Sequence, residues 1–229
     1  MRFFGPIVVG IAVVLAGCAS PAPEPTGPTE TAVPVPAAEQ TFTADVWADN
    51  WFALYVNGEL VGEDSVPITT ERSFNKETIT FTASYPLTIA IEAKDYMETE
   101  SGLEYIGSDR QQLGDGGLIA QITDESGAVV AVTDDSWAAL VVQRAPLDTS
   151  CEKSSNPDAD CASERIDPDA DWFAVDYDAG DWMTATEFSA ADVGPKEGYD
   201  EVHWDSSAAL IWAGSLKQDN IILFRYVVS

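Results

Sequence analysis

The chain has 229 residues, and its 39 acidic and 11 basic side chains give a formal net charge of −28. This balance excludes a nucleic-acid partner, because phosphate backbones are bound by clustered Lys and Arg. Hydrophobic residues make up 45% of the chain, enough for a sizeable core, so the sequence is not a disordered acidic polymer. A single histidine, His203, excludes a multi-histidine metal centre within one chain.

The N-terminal segment has the anatomy of an export signal. Arg2 precedes an apolar run of about ten residues, which is typical of a secretory signal peptide and shorter than the roughly 20 residues of a membrane span. The run ends in Leu15-Ala16-Gly17-Cys18, which resembles the lipobox of bacterial lipoproteins. The resemblance implies removal of residues 1–17, lipidation of Cys18, and a lipid-anchored protein of the cell envelope that faces the exterior or the periplasm. The alternative is an ordinary signal peptide with a coincidental cysteine.

Residues 18–40 differ in composition from the rest of the chain. They are rich in Pro and Thr and contain hardly any large apolar side chains. Such a segment cannot bury enough surface to fold, and proline favours extended geometry. We therefore predict that residues 18–40 are a disordered tether between the lipidated cysteine and a folded domain at 41–229.

From residue 41 onward, apolar and polar residues alternate with the period of β-strands. The apolar run Trp51–Val56 is followed by Asn57-Gly58, a strong hairpin signal because a type I′ turn needs positive φ at both central residues. A return strand is predicted at 60–62, and further strands at 41–47, 78–84, 87–93, 118–123, 128–133, 137–142, 208–212 and 221–228. Short strands separated by polar turns indicate an all-β sandwich or barrel.

Five segments resemble the galactose-binding-like domains, which are jelly-roll β-sandwiches that occur as sugar-binding modules and as accessory domains of glycoside hydrolases. They are, in chain order, DNWFALYVNGELVG (49–62), LTIAIEAKD (87–95), GLIA (117–120), TDDSW (133–137) and DYDAGDWMTAT (176–186). The resemblance implies a sandwich of two antiparallel sheets across 41–229, with a long acidic loop insertion at 145–171. This superfold hosts sugar binding, lipid binding, calcium sites and scaffolding, so the fold alone does not give the function.

The acidic insertion carries Cys151 and Cys161, the two cysteines that remain once Cys18 is lipidated. In an exported protein such a pair is expected to form a disulfide, which here closes a loop of about ten residues. Paired free thiols and a metal site are the alternatives.

Aspartates recur at alternate positions around this cysteine pair, in the motifs NPDAD at 156–160 and DPDAD at 167–171. They offer the hard oxygen ligands that calcium needs, although the glycine and the glutamate of an EF-hand loop are missing. The alternative is a solvated acidic loop of Asx turns. Calcium is the one cofactor that the pattern suggests, and the candidate ligands are Asp158, Asp160, Asp167, Asp169 and Asp171.

Two tryptophans, Trp51 beside the hairpin and Trp172 in the acidic segment, are expected to be partly exposed. An exposed indole next to Asp or Asn can stack on a sugar while the polar groups bind hydroxyls, so both are candidate ligand-binding residues. No Ser, Cys or His constellation supports catalysis, and we expect no enzyme activity. We expect a membrane-anchored, surface-exposed, non-catalytic binding lipoprotein with a carbohydrate as candidate ligand. The alternative is a structural or protein-interaction lipoprotein with a calcium-ordered acidic loop.

Overall fold

The computed structural model describes residues 38–229, together with Gly5 and Gly10. The predicted signal peptide, the lipidation site Cys18 and nearly all of the predicted tether lie outside the described residues and stay predictions. From residue 38 to Ser229, the chain belongs to one compact unit. Among the described residues, no helix has the length and apolar character needed to cross a bilayer.

The described chain is all-β, as predicted, with only single helical turns between strands. The strands are β1 (Gln40–Asp49), β2 (Trp51–Val56), β3 (Glu59–Glu63), β4 (Asn75–Ala83), β5 (Leu87–Lys94), β6 (Leu103–Glu104), β7 (Gln112–Leu113), β8 (Gly117–Asp124), β9 (Val129–Val132), β10 (Ala138–Arg144), β11 (Glu164–Arg165), β12 (Met183–Thr184), β13 (Thr186–Phe188), β14 (Leu210–Trp212) and β15 (Asp219–Val228). The helical turns are α1 (Pro157–Asp160), α2 (Ala190–Val193) and two 3₁₀ turns, Thr149–Lys153 and Tyr199–Glu201.

Two antiparallel sheets enclose the main core. The first has the order β13-β14-β8-β1-β4, with β9 paired to β8, and the second has the order β11-β10-β15-β5-β2-β3, with β12 paired to β10. Phe42 and Val46 of the first sheet and Leu54, Ile91 and Phe224 of the second are fully buried in this core. The arrangement is sandwich-like, and the finer assignment to a galactose-binding-like jelly roll stays a prediction.

The hairpin between β2 and β3 forms where the sequence predicts it. Asn57 and Gly58 have φ values of 51° and 84°, the positive values that a type I′ turn needs. The Asn57 side chain also fixes the turn to the second sheet, because its Nδ2 donates to the Ser84 carbonyl at 2.8 Å and its Oδ1 accepts from the Thr88 N–H at 2.8 Å. Local turn chemistry and long-range contacts therefore favour the same register.

The chain after the acidic insertion packs against the outer face of the second sheet. A second apolar cluster forms there from Ala90, Leu140, Val142, Ile221 and Leu223 of the sheet and from Trp172, Phe173, Tyr177 and Trp182 of the covering segment. The Arg225 guanidinium, which is buried, donates to the carbonyls of Trp172, Ala174 and Tyr177 at 2.6, 3.0 and 3.3 Å. Trp172 is buried by these contacts, which corrects the expectation that it is partly exposed.

The predicted disulfide between Cys151 and Cys161 is present, with their Cα atoms 5.6 Å apart. The loop that it closes is attached to the ribbon formed by β6 and β7. The Gln111 Nε2 donates to the carbonyls of Glu152 and Ser154 at 2.7 and 2.8 Å. The disulfide therefore stabilises a loop that packs against the β6–β7 ribbon instead of standing free in solvent.

Candidate metal centre

Four carboxylates from distant parts of the chain meet at one end of the sandwich, and we call them the acidic cluster: Asp49, Asp95, Glu104 and Asp115. Asp49 is the last residue of β1, Asp95 follows β5 directly, Glu104 ends β6, and Asp115 lies between β7 and β8. Sheet pairing brings these segments together. Asp49 pairs with Gly117 at the start of β8.

Three members of the acidic cluster have converging oxygens. One carboxylate oxygen from each of Asp95, Glu104 and Asp115 lies within 4.8 Å of the other two. Two oxygens that bind one calcium ion at about 2.4 Å can be at most about 4.8 Å apart, so all three can reach a shared ion. Within residues 38–229 this is the one group of three or more His, Cys, Asp or Glu side chains with such convergence.

The inner carboxylates of the cluster are buried, and each has at least one oxygen without a hydrogen-bond partner. Asp95 is 1% exposed and neither of its carboxylate oxygens accepts a hydrogen bond. The Glu104 Oε1 and the Asp49 Oδ1 are also buried and unpartnered, although the Gln112 Nε2 donates to the Glu104 Oε2 at 2.9 Å. Buried polar groups are nearly always paired, and an ion is one of the few partners that can satisfy several carboxylate oxygens at once.

Burial and mutual repulsion raise the pKa values of these groups in the metal-free protein. Desolvation, followed by the negative charge of Asp115, raises the pKa of Asp49 to about 7 and that of Glu104 to about 8. Desolvation and the Glu104 charge raise the pKa of Asp95 well above its usual value. The nearby Tyr96 N–H, which donates to the Asn50 Oδ1 at 2.5 Å, opposes this shift. A bound cation would reverse these shifts by favouring the ionised carboxylates.

The loop that carries Asp115 depends on a glycine next to the cluster. A Cβ atom at Gly114 would lie 1.8 Å from the Asp95 Oδ2, which is far inside van der Waals contact. Only glycine therefore lets the backbone approach the Asp95 carboxylate this closely. The close approach positions Asp115 beside Asp95.

Lys196, between α2 and the second 3₁₀ turn, contacts the outer edge of the acidic cluster. Its Nζ lies 3.1 Å from the Asp115 Oδ2 and 3.4 Å from the Asp49 Oδ2. The side chains of Lys196 and Asp115 are 39% and 35% exposed, whereas Asp49, Asp95 and Glu104 are buried. The cluster thus has a solvent-facing edge formed by Asp115 and Lys196 and an interior formed by the other three carboxylates.

The structure does not bring the five aspartates of the predicted calcium site together as a metal-binding group. Asp158 and Asp160 lie in α1, and all five side chains are exposed: Asp158, Asp160, Asp167, Asp169 and Asp171. Local hydrogen bonds engage two of them, since Asp160 accepts from the Ser154 hydroxyl and Asp169 accepts from the Tyr177 hydroxyl at 3.3 Å. Exposed carboxylates of this kind form hydrogen bonds with water, so, unlike the buried carboxylates of the acidic cluster, they do not need an ion as a partner.

The two candidate ligand-binding tryptophans occupy different surroundings. Trp51 is half-buried and its ring lies beneath the Lys94 ammonium, at 4.3 Å from the ring centroid, whereas Trp172 is buried. A third tryptophan, Trp182, is half-buried and lines a groove of about 300 Å³ along β10. The charged residues around this groove are Arg144, Glu164 and Asp181.

Sequence reasoning did not identify the acidic cluster, although one signal for it was present. In β5 the core-facing positions are the odd ones, and Asp95 continues that alternation after Leu87, Ile89, Ile91 and Ala93. A carboxylate on a core-facing position is unusual and marks a functional candidate. Glu104 and Asp115 carry no such signal, because both lie in short segments without periodicity.

Comparison with known proteins adds no relative from which a role could be transferred. No family model matches the chain, and no curated protein and no solved structure matches it significantly. The functional interpretation therefore depends on the chemistry of the acidic cluster. Three converging carboxylates, of which Asp95 and Glu104 are buried and have oxygens without hydrogen-bond partners, are suited to binding a hard cation.

Proposed function

We propose that this chain is a non-catalytic, exported binding lipoprotein whose β-sandwich holds a divalent cation, Ca²⁺, at the acidic cluster. The observation that carries the proposal is the buried Asp95 carboxylate, which has no hydrogen-bond partner at either oxygen and lies beside the converging oxygens of Glu104 and Asp115. Asp49, with its unpartnered Oδ1, is the fourth carboxylate available to the ion.

The donor set favours calcium over other metals. All donors are carboxylate oxygens, which suit hard cations, and the cluster contains no imidazole or thiolate that would select zinc, copper or iron. Magnesium keeps several of its waters and is rarely held in a dedicated protein cage, whereas calcium accepts six to eight oxygen ligands in flexible geometry. The burial of Asp95 and Glu104 favours an ion that exchanges its waters for protein oxygens, as Ca²⁺ does.

A cation at this position would connect segments that are far apart in the chain. Asp95 ends the β5 region, Glu104 belongs to the β6–β7 ribbon, and Asp115 belongs to the loop before β8. One ion bound to all three would fix the ribbon and the loop to the end of the sandwich. The expected role is therefore structural: the ion stabilises the domain that presents the binding surface.

Calcium titration of the full chain, after removal of metal with a chelator, tests this proposal by calorimetry and thermal unfolding. At a free Ca²⁺ concentration of about 100 times the Kd, the wild type should gain roughly 3 kcal/mol, which raises its Tm by about 5–10 °C. Asp95→Asn should lose this response. The matched control, Asp160→Asn, makes the same change in the predicted loop site and should keep it.

The outcomes separate the two possible sites. Loss of the calcium response in Asp160→Asn but not in Asp95→Asn would place the ion in the acidic insertion and overturn the assignment to the cluster. A wild type without any calcium-dependent heat or Tm shift would overturn the cation proposal altogether.

Carbohydrate binding at the β10 groove is the second candidate function. The half-buried Trp182 indole lies beside the charged groups of Arg144, Glu164 and Asp181, and an aromatic face with nearby carboxylates is the arrangement that binds sugars. A glycan array with the purified protein tests this function. Hits that disappear in Trp182→Ala but persist in Trp51→Ala would support it, and an array without hits would contradict it.

The lipid anchor in this proposal depends on the Leu15-Ala16-Gly17-Cys18 motif. Expression in a bacterial host that is fed an alkyne-labelled fatty acid tests it directly. The wild-type chain should acquire the label and fractionate with membranes, and Cys18→Ala should do neither. A wild-type chain that does not acquire the label would contradict the lipid anchor and would indicate an ordinary exported protein.

A further inference from the structure

The acidic cluster already contacts one cationic group, the ammonium of Lys196. Its Nζ lies between the Asp115 Oδ2 at 3.1 Å and the Asp49 Oδ2 at 3.4 Å, and 4.7 Å from the centroid of the Phe74 ring. The Asp49 side chain is fully buried, whereas Lys196 keeps 39% of its side-chain surface exposed. Lys196 is thus a partly exposed charge on a flexible stem at the solvent-facing edge of the cluster.

Lys196 and the proposed ion share a ligand. Asp115 is one of the three carboxylates with converging oxygens, and its Oδ2 also accepts a hydrogen bond from Lys196. A divalent cation within a few ångströms of an ammonium group repels it strongly, because the site is only partly screened by water. Ion binding and the Lys196 contact therefore oppose each other, and by linkage each weakens the other by the same factor.

The backbone around Lys196 is held independently of its contact with the cluster. The Trp47 Nε1–H donates to the Glu197 carbonyl at 3.0 Å, and the Tyr199 N–H donates to the Lys196 carbonyl at 3.1 Å. The Gly194 N–H donates to the Ala190 carbonyl at 2.9 Å. The side chain can therefore leave the cluster for solvent while the segment that carries it stays in place.

We propose that Lys196 is a tethered counter-ion, which neutralises the Asp49–Asp115 edge of the metal-free protein and is displaced when a divalent cation binds. The inference rests on the proposed function and adds its regulation. A built-in competitor stabilises the metal-free domain and lowers the affinity for Ca²⁺ below that of the carboxylates alone. The site then responds to calcium at higher concentrations than the same cluster without a lysine.

Substitution of Lys196 by methionine tests the competition. Lys196→Met keeps the length of the side chain and removes its charge. Lys217→Met makes the same change at an exposed lysine that forms no ion pair with any described residue, so it controls for the overall change in charge. Ca²⁺ is titrated into each full-length, metal-free protein. Lys196→Met should lower the Kd about tenfold or more, and Lys217→Met should change it less than about threefold.

Lys196→Met should be less stable than the wild type without metal, although it should bind Ca²⁺ more tightly. In chelator its Tm should lie about 3–6 °C below that of the wild type, because the ammonium no longer offsets the carboxylates. In saturating Ca²⁺ this difference should shrink or reverse. A purely structural lysine would instead lower the Tm by the same amount with and without Ca²⁺.

Acetylation of the wild type provides a second measurement that needs no variant. A limiting amount of an amine-reactive reagent is added with chelator or with Ca²⁺, and mass spectrometry compares Lys196 with Lys217 as internal standard. The relative reactivity of Lys196 should rise about threefold or more with Ca²⁺. This measurement remains decisive if Lys196→Met does not fold without metal.

Each result has one reading. Equal affinities for Lys196→Met and Lys217→Met, weaker binding by Lys196→Met, or unchanged acetylation of Lys196 would overturn the counter-ion role while leaving the cation site intact. Binding by Lys196→Met alone would support the competition and overturn calcium binding by the native chain. No binding by any of the three proteins would overturn both proposals.

Discussion

Without a bound cation, the folded domain should lose stability as the pH rises from about 5.5 to about 8.5. Burial raises the pKa of Glu104 to about 8 and that of Asp49 to about 7, from ordinary values of 4.5 and 3.8. Between the ordinary and the raised values, the folded state binds more protons than the unfolded state. The free energy of unfolding therefore falls with increasing pH over this range.

The Glu104 shift gives a lower limit for the size of the effect. A group with a pKa of 4.5 in the unfolded chain and about 8 in the folded domain loses about 3 kcal/mol of stability across this range. Asp49 and Asp95 change in the same direction and titrate together with Glu104, so the whole cluster contributes more. Exposed aspartates with lowered pKa values, such as Asp124, titrate below this range and leave the slope unchanged.

Denaturant unfolding in chelator at several pH values measures the slope, and saturating Ca²⁺ should remove the part of it that the acidic cluster contributes; Asp64, whose pKa burial raises to about 6, lies outside the cluster and keeps its part. Glu104→Gln should reduce the pH dependence by about 3 kcal/mol, because a glutamine cannot ionise. Glu164→Gln, at an exposed carboxylate, is the matched control and should leave the slope as in the wild type. A metal-free stability that is flat or rises with pH, or a Glu104→Gln slope equal to that of the wild type, would refute the reasoning.

Three further substitutions address other parts of the fold. Arg225→Met removes the donors to three carbonyls and should lower the free energy of unfolding by roughly 3 kcal/mol, as measured with denaturant. Limited proteolysis of this variant should cut first at 167–182, and an unchanged cleavage pattern would contradict the role of Arg225. Gly114→Ala should abolish the calcium-dependent Tm shift, because its Cβ would collide with the Asp95 Oδ2. Replacing Cys151 and Cys161 by serine should lower the unfolding free energy by about 2–3 kcal/mol, since the disulfide closes a short loop.

The strands were predictable because their signals are local. Alternation with period two is visible in any run of six residues, and Asn57-Gly58 determines a turn by its own backbone preferences. The short strands β6, β7, β11, β12 and β13 were missed. They contain two or three residues each, so no period can be recognised in them. Their pairing follows from tertiary contacts instead.

The acidic cluster was missed for a related reason. A sequence shows how many carboxylates a segment has, but it does not show which of them lose contact with water. The insertion is dense in aspartates, yet its candidate ligands stay exposed, whereas Asp95, Glu104 and Asp115 come from segments of ordinary composition. The proposed affinity for a cation depends on the burial of Asp95 and Glu104, and this burial follows only once the sheets have assembled.

The position of β1 has a mechanical consequence for a protein held at its N-terminus. From Gln40 onward, β1 lies in the first sheet between β4 and β8. Nine residue pairs join β1 to β4, and eight join it to β8. A pull on the N-terminal end along the strand loads the hydrogen bonds of both ladders in shear, so that many of them must break together. With the chain anchored at its N-terminus as proposed, the domain should therefore resist unfolding under tension far better than one attached through an edge strand, which would peel away one bond at a time.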